Sequence, residues 1–214
     1  MTKPISAPLV HIVDDDDAIR DALSWLFSTR QVDTQVWSSG EAFLQAMTPE
    51  TSGCILLDIR LGGISGLEVF ERLRQMHATL PVIFLTGHGD LPLAVNALKQ
   101  GAADFIEKPF NDNDLVDRVL EVLRSYRLSQ AERASENALE RRLDTLSQRE
   151  REVLGLALEG RLNKQIAEDL NITMRTVEVH RARALDKMQA RSLLELARCV
   201  DPIRLRSGTG SATN

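Results

Sequence analysis

Short runs rich in Val, Ile and Leu alternate with stretches of helical spacing through the first 125 residues. The runs are Leu9 to Val13, Val32 to Trp37, Cys54 to Leu57, Val82 to Leu85 and Asp104 to Glu107. Between them lie Ile19, Leu23, Leu26 and Phe27, then Leu67, Phe70, Leu73 and Met76, then Leu93, Val95 and Leu98. Strands alternating with helices require right-handed crossovers and a parallel sheet covered on both faces. Continuous apolar runs, without strict alternation, fit strands buried on both sides. The predicted fold is α/β, a flavodoxin-like doubly wound five-stranded parallel sheet, which binds its ligands at the carboxyl ends of the strands.

The character changes after residue 125. From Leu115 to Leu146 apolar or small residues are spaced among Glu, Arg, Ser and Gln with no Gly or Pro. This predicts either one long exposed helix or two helices with a frayed joint. Ser147-Gln-Arg-Glu150 is a capping box that starts a helix to about Glu159, and Gly160 ends it. A second short helix over about 163–170, a turn at Asn171-Ile-Thr173, a third helix over 174–188 and a fourth over about 192–199 complete an all-α, four-helix helix-turn-helix domain. The expected boundaries are 1–125 for the α/β domain, 126–143 for a helical linker and 144–206 for the helix-turn-helix domain. A small, polar, disordered tail is expected over 207–214.

Charge divides along the same line. The net charge of -5 combines 10 Lys/Arg and 18 Asp/Glu in residues 1–125 with 16 and 13 in residues 126–214. An acidic half joined to a basic one points to a regulatory or catalytic unit attached to a nucleic-acid-binding unit. No apolar run reaches the roughly 20 residues that span a bilayer, and Met1 to Pro8 lacks signal-peptide character, so a cytoplasmic protein with no membrane partner is expected. Cys54 and Cys199 lie in apolar surroundings with no CxxC or His/Cys cluster, which implies neither a disulfide framework nor a zinc site and predicts two buried thiols.

The strand ends carry the chemistry. Asp14-Asp-Asp-Asp17 follows the first strand and Asp58 the third, so a parallel sheet brings their carboxylates to one edge. The run alone reads more readily as a solvated loop and helix cap, and the other strand ends reverse that. Hard oxygen ligands in this arrangement suit Mg2+. Thr86 after the fourth strand adds a hydroxyl, and Lys108 after the fifth adds a cation; together these are the parts for phosphoryl transfer. A carboxylate nucleophile needs no general base, but its attack on phosphorus requires charge neutralisation by the metal and Lys108.

These motifs, His11-Ile-Val-Asp-Asp-Asp16, Leu56-Leu-Asp58-Ile-Arg60, Thr86-Gly-His-Gly-Asp90 and Asp104-Phe-Ile-Glu-Lys-Pro-Phe110, resemble the receiver domain of bacterial two-component response regulators over residues 8 to about 125. The resemblance implies that Asp58 accepts a phosphoryl group from a phosphohistidine on a sensor histidine kinase. It further implies that Asp15 and Asp58 ligate Mg2+ directly, Asp14 mostly through water, and Arg60 through its backbone carbonyl. Thr86 then bonds the new phosphate and Phe105 is the switch aromatic, turning inward as Thr86 moves; an ordinary core Phe is the alternative. The resemblance also implies a cis Lys108-Pro109 peptide, where an ordinary turn proline is the default. Where the family has Met-Pro-x-Met-x-Gly, this chain reads Leu61-Gly-Gly-Ile-Ser-Gly66, and loss of the proline is expected to loosen the loop presenting the Arg60 carbonyl. His88 at the mouth of the site is read as a tuning residue or a solvated loop residue, His11 as a strand residue and His77 as a helix-end surface residue.

Leu146-Ser-Gln-Arg-Glu-Arg-Glu-Val-Leu154, Gly160, Asn163-Lys-Gln-Ile-Ala167, Leu170, Thr176-Val-Glu-Val-His180 and Lys187-Met188 resemble the LuxR-type output domain over residues 144 to about 200. Both halves together resemble the NarL/FixJ family, most of all its FixJ branch. Residues 174–188 would then be the recognition helix. Lys164, Arg175, Thr176 and Lys187 are assigned to phosphate contacts, and Glu178, Val179, Ala182 and Arg183 to base edges, with His180 serving packing and phosphate contact. A solvated helix face is preferred for Arg181 and Arg191.

The sequence therefore predicts a response regulator, not an enzyme beyond its own phosphorylation and slow self-dephosphorylation. Phosphorylation would cause homodimerisation and binding to double-stranded promoter DNA, activating transcription with RNA polymerase as a further partner. Two rivals are a DNA-binding protein whose first domain is a phosphorylation-independent dimerisation scaffold, and a Mg-dependent phosphatase.

Overall fold

The computed structural model describes residues 9–87 and 89–200; His88, the first eight residues and the polar tail expected over 207–214 lie outside it. The chain forms two compact units that meet between Gln130 and Ala131.

In the first unit the strands are β1 (Leu9–Val13), β2 (Asp33–Trp37), β3 (Cys54–Asp58), β4 (Val82–Thr86) and β5 (Asp104–Glu107). They form one parallel sheet in the order β2-β1-β3-β4-β5. The three inner strands are buried on both faces as their apolar runs require, whereas β2 and β5 sit at the edges and are partly exposed. The helices are α1 (Asp17–Thr29), α2 (Gly40–Ala46), α3 (Gly66–Gln75), α4 (Leu91–Lys99) and α5 (Asp112–Asp144). On one face Leu23, Leu26 and Phe27 of α1 and Leu115, Val116, Val119 and Leu123 of α5 pack on Val10, Ile12, Leu56 and Leu85. On the other, Phe43 of α2, Val69, Phe70 and Leu73 of α3, and Ala94 and Ala97 of α4 cover Ile55, Leu57 and Phe84.

Helix α4 differs from its sequence reading. Ala94 and Ala97 are its buried residues, while Leu93 and Val95 face outward at 44% and 41% exposure. Small side chains let the helix backbone lie close to the sheet, and that approach sets the buried face.

The segment read as one helix or two is a single helix, α5, of 33 residues. The second unit continues with α6 (Gln148–Leu158), α7 (Asn163–Leu170), α8 (Met174–Lys187) and α9 (Leu193–Ala197). The predicted capping box at Ser147 and Glu150 is complete, each side chain accepting the other's backbone N–H. Asn171 ends α7 at φ 52°, a left-handed turn that Asn tolerates well, and Thr173 caps α8 by accepting from the Thr176 N–H at 3.1 Å. Leu143, Leu154, Ala184, Met188 and Leu196 form one part of the core, and Val153, Ile166, Ala167 and Val177 the other. Cys199 is exposed, contrary to expectation, because Leu196 and Val200, one turn apart, take the inward positions; Cys54 is buried in β3. No helix among the described residues is long and apolar enough to cross a membrane.

Candidate functional site

The sheet order reverses between β1 and β3, which opens a crevice at their carboxyl ends. The four-Asp run divides its labour there. Asp14 is fully buried: Oδ1 accepts from the Asp16 N–H at 2.9 Å, and its carbonyl accepts from Arg20 at 2.6 Å. Asp16 caps α1, and Asp17 begins that helix and pairs with Arg20. Asp15 is exposed, and carboxylate oxygens of Asp14, Asp15 and Asp58 all lie within 4.8 Å of one another.

Asp58 is the last residue of β3. Its Oδ1 accepts from the Arg60 N–H at 3.0 Å and its Oδ2 from Lys108 Nζ at 2.7 Å. The same ammonium donates to Asp14 Oδ2 at 2.9 Å. Lys108 is placed from beneath, since its own N–H donates to the Thr86 carbonyl at 2.7 Å. The Lys108-Pro109 peptide is cis, as the resemblance implied. Burial pushes the Asp14 carboxyl up despite the ammonium beside it. For Lys108 burial opposes the charge, but hydrogen bonds to Asp58 and Asp14 prevail and hold its pKa above the ordinary value. One cation facing three carboxylates leaves an excess of negative charge, and the oxygen donors fit a small hard divalent cation.

Thr86, the last residue of β4, is buried, and its hydroxyl donates at 3.5 Å to the Ile106 carbonyl. Phe105 lies half-buried on β5 against the α2–α4 side of the core. His11 is buried in β1, and His77 is exposed just past α3, as read from the sequence.

Three features of the site lie beyond the sequence reading. Arg60 was singled out only for its carbonyl, yet its guanidinium clasps Asp90 at the start of α4, with Nε and Nη2 each 2.9 Å from a carboxylate oxygen. That guanidinium holds the Asp90 carboxyl below the usual carboxylate range. Gly66, at the start of α3, lies so close to the end of β3 that a Cβ there would be 2.1 Å from the Asp58 carbonyl oxygen. The loop between them, expected to be loosened by its missing proline, is closed by Gly66 N–H donating to the Ile59 carbonyl at 3.0 Å. It is also tied to α2 by Ile64 N–H donating to Glu41 Oε1 at 3.0 Å. Asp90 belongs to a motif already singled out, and Gly66 ends the loop read as atypical; Glu41 carries no local signal.

In the second unit Val177 and Ala184 turn α8 inward, leaving Arg175, Glu178, Val179, Ala182 and Arg183 exposed together on the outer surface. Lys164 is exposed on α7. Thr176 and His180 are half-buried; the Thr176 hydroxyl pairs with that of Thr173 at 2.7 Å, and the buried His180 Nδ1 has no hydrogen-bond partner among the described residues. Lys187 is engaged inside the unit, donating to Glu150 Oε2 at 2.6 Å and to the Thr145 carbonyl at 3.0 Å. Arg181 donates to Asn163 Oδ1 at 3.3 Å.

A family model of the response regulator receiver domain matches residues 10–120, and one of bacterial regulatory proteins of the luxR family matches residues 144–200. The C4-dicarboxylate transport transcriptional regulatory protein DctR of Rhodobacter capsulatus is 49% identical, over 88% of this chain and 97% of its own length. The transcriptional regulatory protein FixJ of Azorhizobium caulinodans is 46% identical, over 91% of this chain and 92% of its own. Among solved structures, the response regulator StyR aligns with a TM-score of 0.84 at 36% identity, covering 90% of this chain and 98% of that one. Full-length FixJ from B. japonicum aligns with a TM-score of 0.58 at 35% identity, covering 96% and 100%.

Both halves of the geometry thus have their counterparts in one class, the two-component response regulators in which a receiver is joined to a DNA-binding output domain. Within that class the chain belongs to the NarL/FixJ family of transcription regulators.

Proposed function

We propose that Asp58 accepts a phosphoryl group from a phosphohistidine on a sensor histidine kinase and that the phosphorylated chain dimerises and binds promoter DNA, activating transcription with RNA polymerase. The observation that carries this reading is the double hydrogen bond of Lys108 to Asp14 and Asp58 beside three convergent carboxylates. An Asp58 oxygen forms the new O–P bond as the N–P bond of the phosphohistidine breaks, and the electron pair leaves with the imidazole. Asp14, Asp15, Asp58 and the Arg60 carbonyl would hold Mg2+, which when bound neutralises charge on the transferring group. Lys108 supplies a second, fixed positive charge from the protein side. The Thr86 hydroxyl, exchanging its 3.5 Å bond to the Ile106 carbonyl for the phosphate, gives Phe105 room to turn inward.

Residues 1–125 serve as the receiver, 126–143 as the linker and 144–206 as the DNA-binding domain. On the latter, Arg175 and Lys164 contact phosphates, with Thr176 and His180 beside them. Glu178, Val179, Ala182 and Arg183 reach base edges in the major groove, where Glu178 suits a cytosine amino group. Lys187, held by Glu150, contributes by seating the recognition helix. A kinase and a promoter as partners support a cytoplasmic location for the protein.

The test is incubation with a small phosphodonor and Mg2+, for wild type and Asp58→Asn, followed by intact mass, sedimentation and promoter-fragment binding. One phosphoryl group on wild type alone, with dimerisation and tighter DNA binding, is expected. Equal behaviour of both proteins, with candidate kinases also supplied, would overturn the reading in favour of a constitutive scaffold.

A further inference from the structure

The loop from Ile59 to Ser65 joins the phosphoryl acceptor to α3 and carries the Arg60 carbonyl. It contains no proline; instead Gly62 and Gly63 lie at its tip. Both glycines stand against acids from other elements. A Cβ on Gly62 would lie 3.2 Å from Asp15 Oδ2, and a Cβ on Gly63 would lie 2.4 Å from Glu41 Oε1. The next residue donates its backbone N–H to that same Glu41 oxygen at 3.0 Å. Glu41 sits in the first turn of α2, capped by Ser39, so its carboxylate is presented from a fixed element. The hydrogen bond from the Ile64 N–H holds the Glu41 carboxyl below the ordinary range. Ile64 and Leu61 pack on the core beneath, giving the loop apolar feet on either side of the glycine pair.

We infer that Glu41 is a positioning residue for the metal-binding loop: by bonding the Ile64 N–H across the Gly62-Gly63 tip, it holds the loop against Asp15 and keeps the Arg60 carbonyl in place for a divalent cation. This rests on the metal reading of Asp14, Asp15 and Asp58 given above. Glu41 itself lies outside the cluster of converging oxygens and acts through the loop. The physical logic is that of outer-shell groups at metal sites, which fix the ligands without touching the ion. It also explains how a chain that lacks the usual proline keeps an ordered loop: a hydrogen bond from α2 replaces a stiff ring within the loop itself.

The test uses the full chain, titrated with Mg2+ by calorimetry, for wild type, Glu41→Ala, Glu41→Gln, Gly63→Ala and the Glu41→Ala/Gly63→Ala pair. Unfolding in EDTA provides a metal-free control. Glu41→Ala should raise the Mg2+ dissociation constant about 10-fold, with a metal-free unfolding midpoint close to wild type. Glu41→Gln keeps an oxygen acceptor for Ile64 and should stay within about three-fold of wild type. Gly63→Ala drives a methyl into the Glu41 carboxylate and should weaken Mg2+ binding alone, yet add nothing once Glu41 is alanine. In phosphodonor assays the half-saturating Mg2+ concentration should rise with Glu41→Ala while the rate at saturating Mg2+ stays near wild type.

Wild-type Mg2+ affinity in both Glu41→Ala and Gly63→Ala would overturn the inference and leave the metal reading intact. Absence of Mg2+ binding by wild type would overturn both.

Discussion

The Arg60 guanidinium donates to both oxygens of the Asp90 carboxylate, with two hydrogen bonds of 2.9 Å. This two-pronged pair links the residue two places after Asp58 to the start of α4. Asp90 is almost wholly buried, while the Arg60 side chain is 73% exposed, so the pair is firm in geometry but screened in energy.

Replacing Asp90 with alanine should therefore cost only about 1 kcal/mol of stability, read by urea unfolding. The larger expected effect is local, with amide resonances from Gly87 to Ala94 shifting and losing hydrogen-exchange protection. A variant in which those amides match wild type would show that the clasp does not hold the beginning of α4.

Gly66→Ala places a methyl 2.1 Å from the Asp58 carbonyl oxygen, a backbone atom that has no rotamer to escape into. A loss of about 2 kcal/mol or more is expected, together with slower phosphorylation, because the end of β3 must shift to make room. Unfolding and phosphodonor rates measured on the same preparation check both halves.

Lys108→Ala removes the cation shared by Asp14 and Asp58. The buried Asp14 then has no ion-pair partner among the described residues. We expect phosphorylation from a small donor to slow about 100-fold or more, and stability in EDTA to fall by about 2 kcal/mol, less than for a fully buried pair because the lysine side chain is 22% exposed. A midpoint equal to wild type in EDTA would count against the shared charge.

The Glu150–Lys187 pair predicts a pH dependence in the second unit. Burial disfavours the Glu150 charge, but Lys187 and the Ser147 N–H outweigh it, so the carboxyl stays below its ordinary value of 4.5. A depressed carboxyl contributes stability that is fully present above that ordinary value and is lost as pH falls through the lower folded value. Glu150→Gln keeps the cap acceptor but breaks the pair, costing about 1 kcal/mol at pH 7 because the Lys187 side chain is 38% exposed and the pair is screened, and flattening the acid limb of the stability curve. Denaturation followed by circular dichroism from pH 7 down to pH 3 reads both effects.

Cys199 is exposed and Cys54 is buried, with burial pushing the Cys54 thiol far up. A thiol reagent should label one cysteine per native chain quickly and the second only after unfolding. Peptide mapping identifies Cys199 as the fast site, and rapid double labelling would contradict the packing of β3.

Asp14, Asp58, Thr86 and Lys108 were legible as a site because each stands at a strand end, and a parallel sheet brings such ends together whatever the details of its loops. The capping box at Ser147 and the turn at Asn171 were equally legible, since helix ends are governed by residues within one turn. The inward face of α4 was not, because apolar side chains lie all around that helix and only its approach to the sheet selects Ala94 and Ala97. Cys199 was misread for a related reason: it lies in the turn just past the five-residue α9, where Leu196 and Val200, not composition, decide which side is buried.

Local chemistry in the sequence thus determined the order of the elements, the two domain types and the set of polar side chains that stand at the strand ends. The tertiary structure alone decided which distant partners other groups meet: Asp90 for Arg60, Glu41 for the Ile64 N–H, and Glu150 for Lys187. These pairs span 30, 23 and 37 positions of chain, and nothing in the local sequence favours one partner over another at such separations. The contacts form only once packing of apolar residues has set the loops side by side, because a hydrogen bond requires a fit of a few tenths of an ångström that sequence spacing cannot encode.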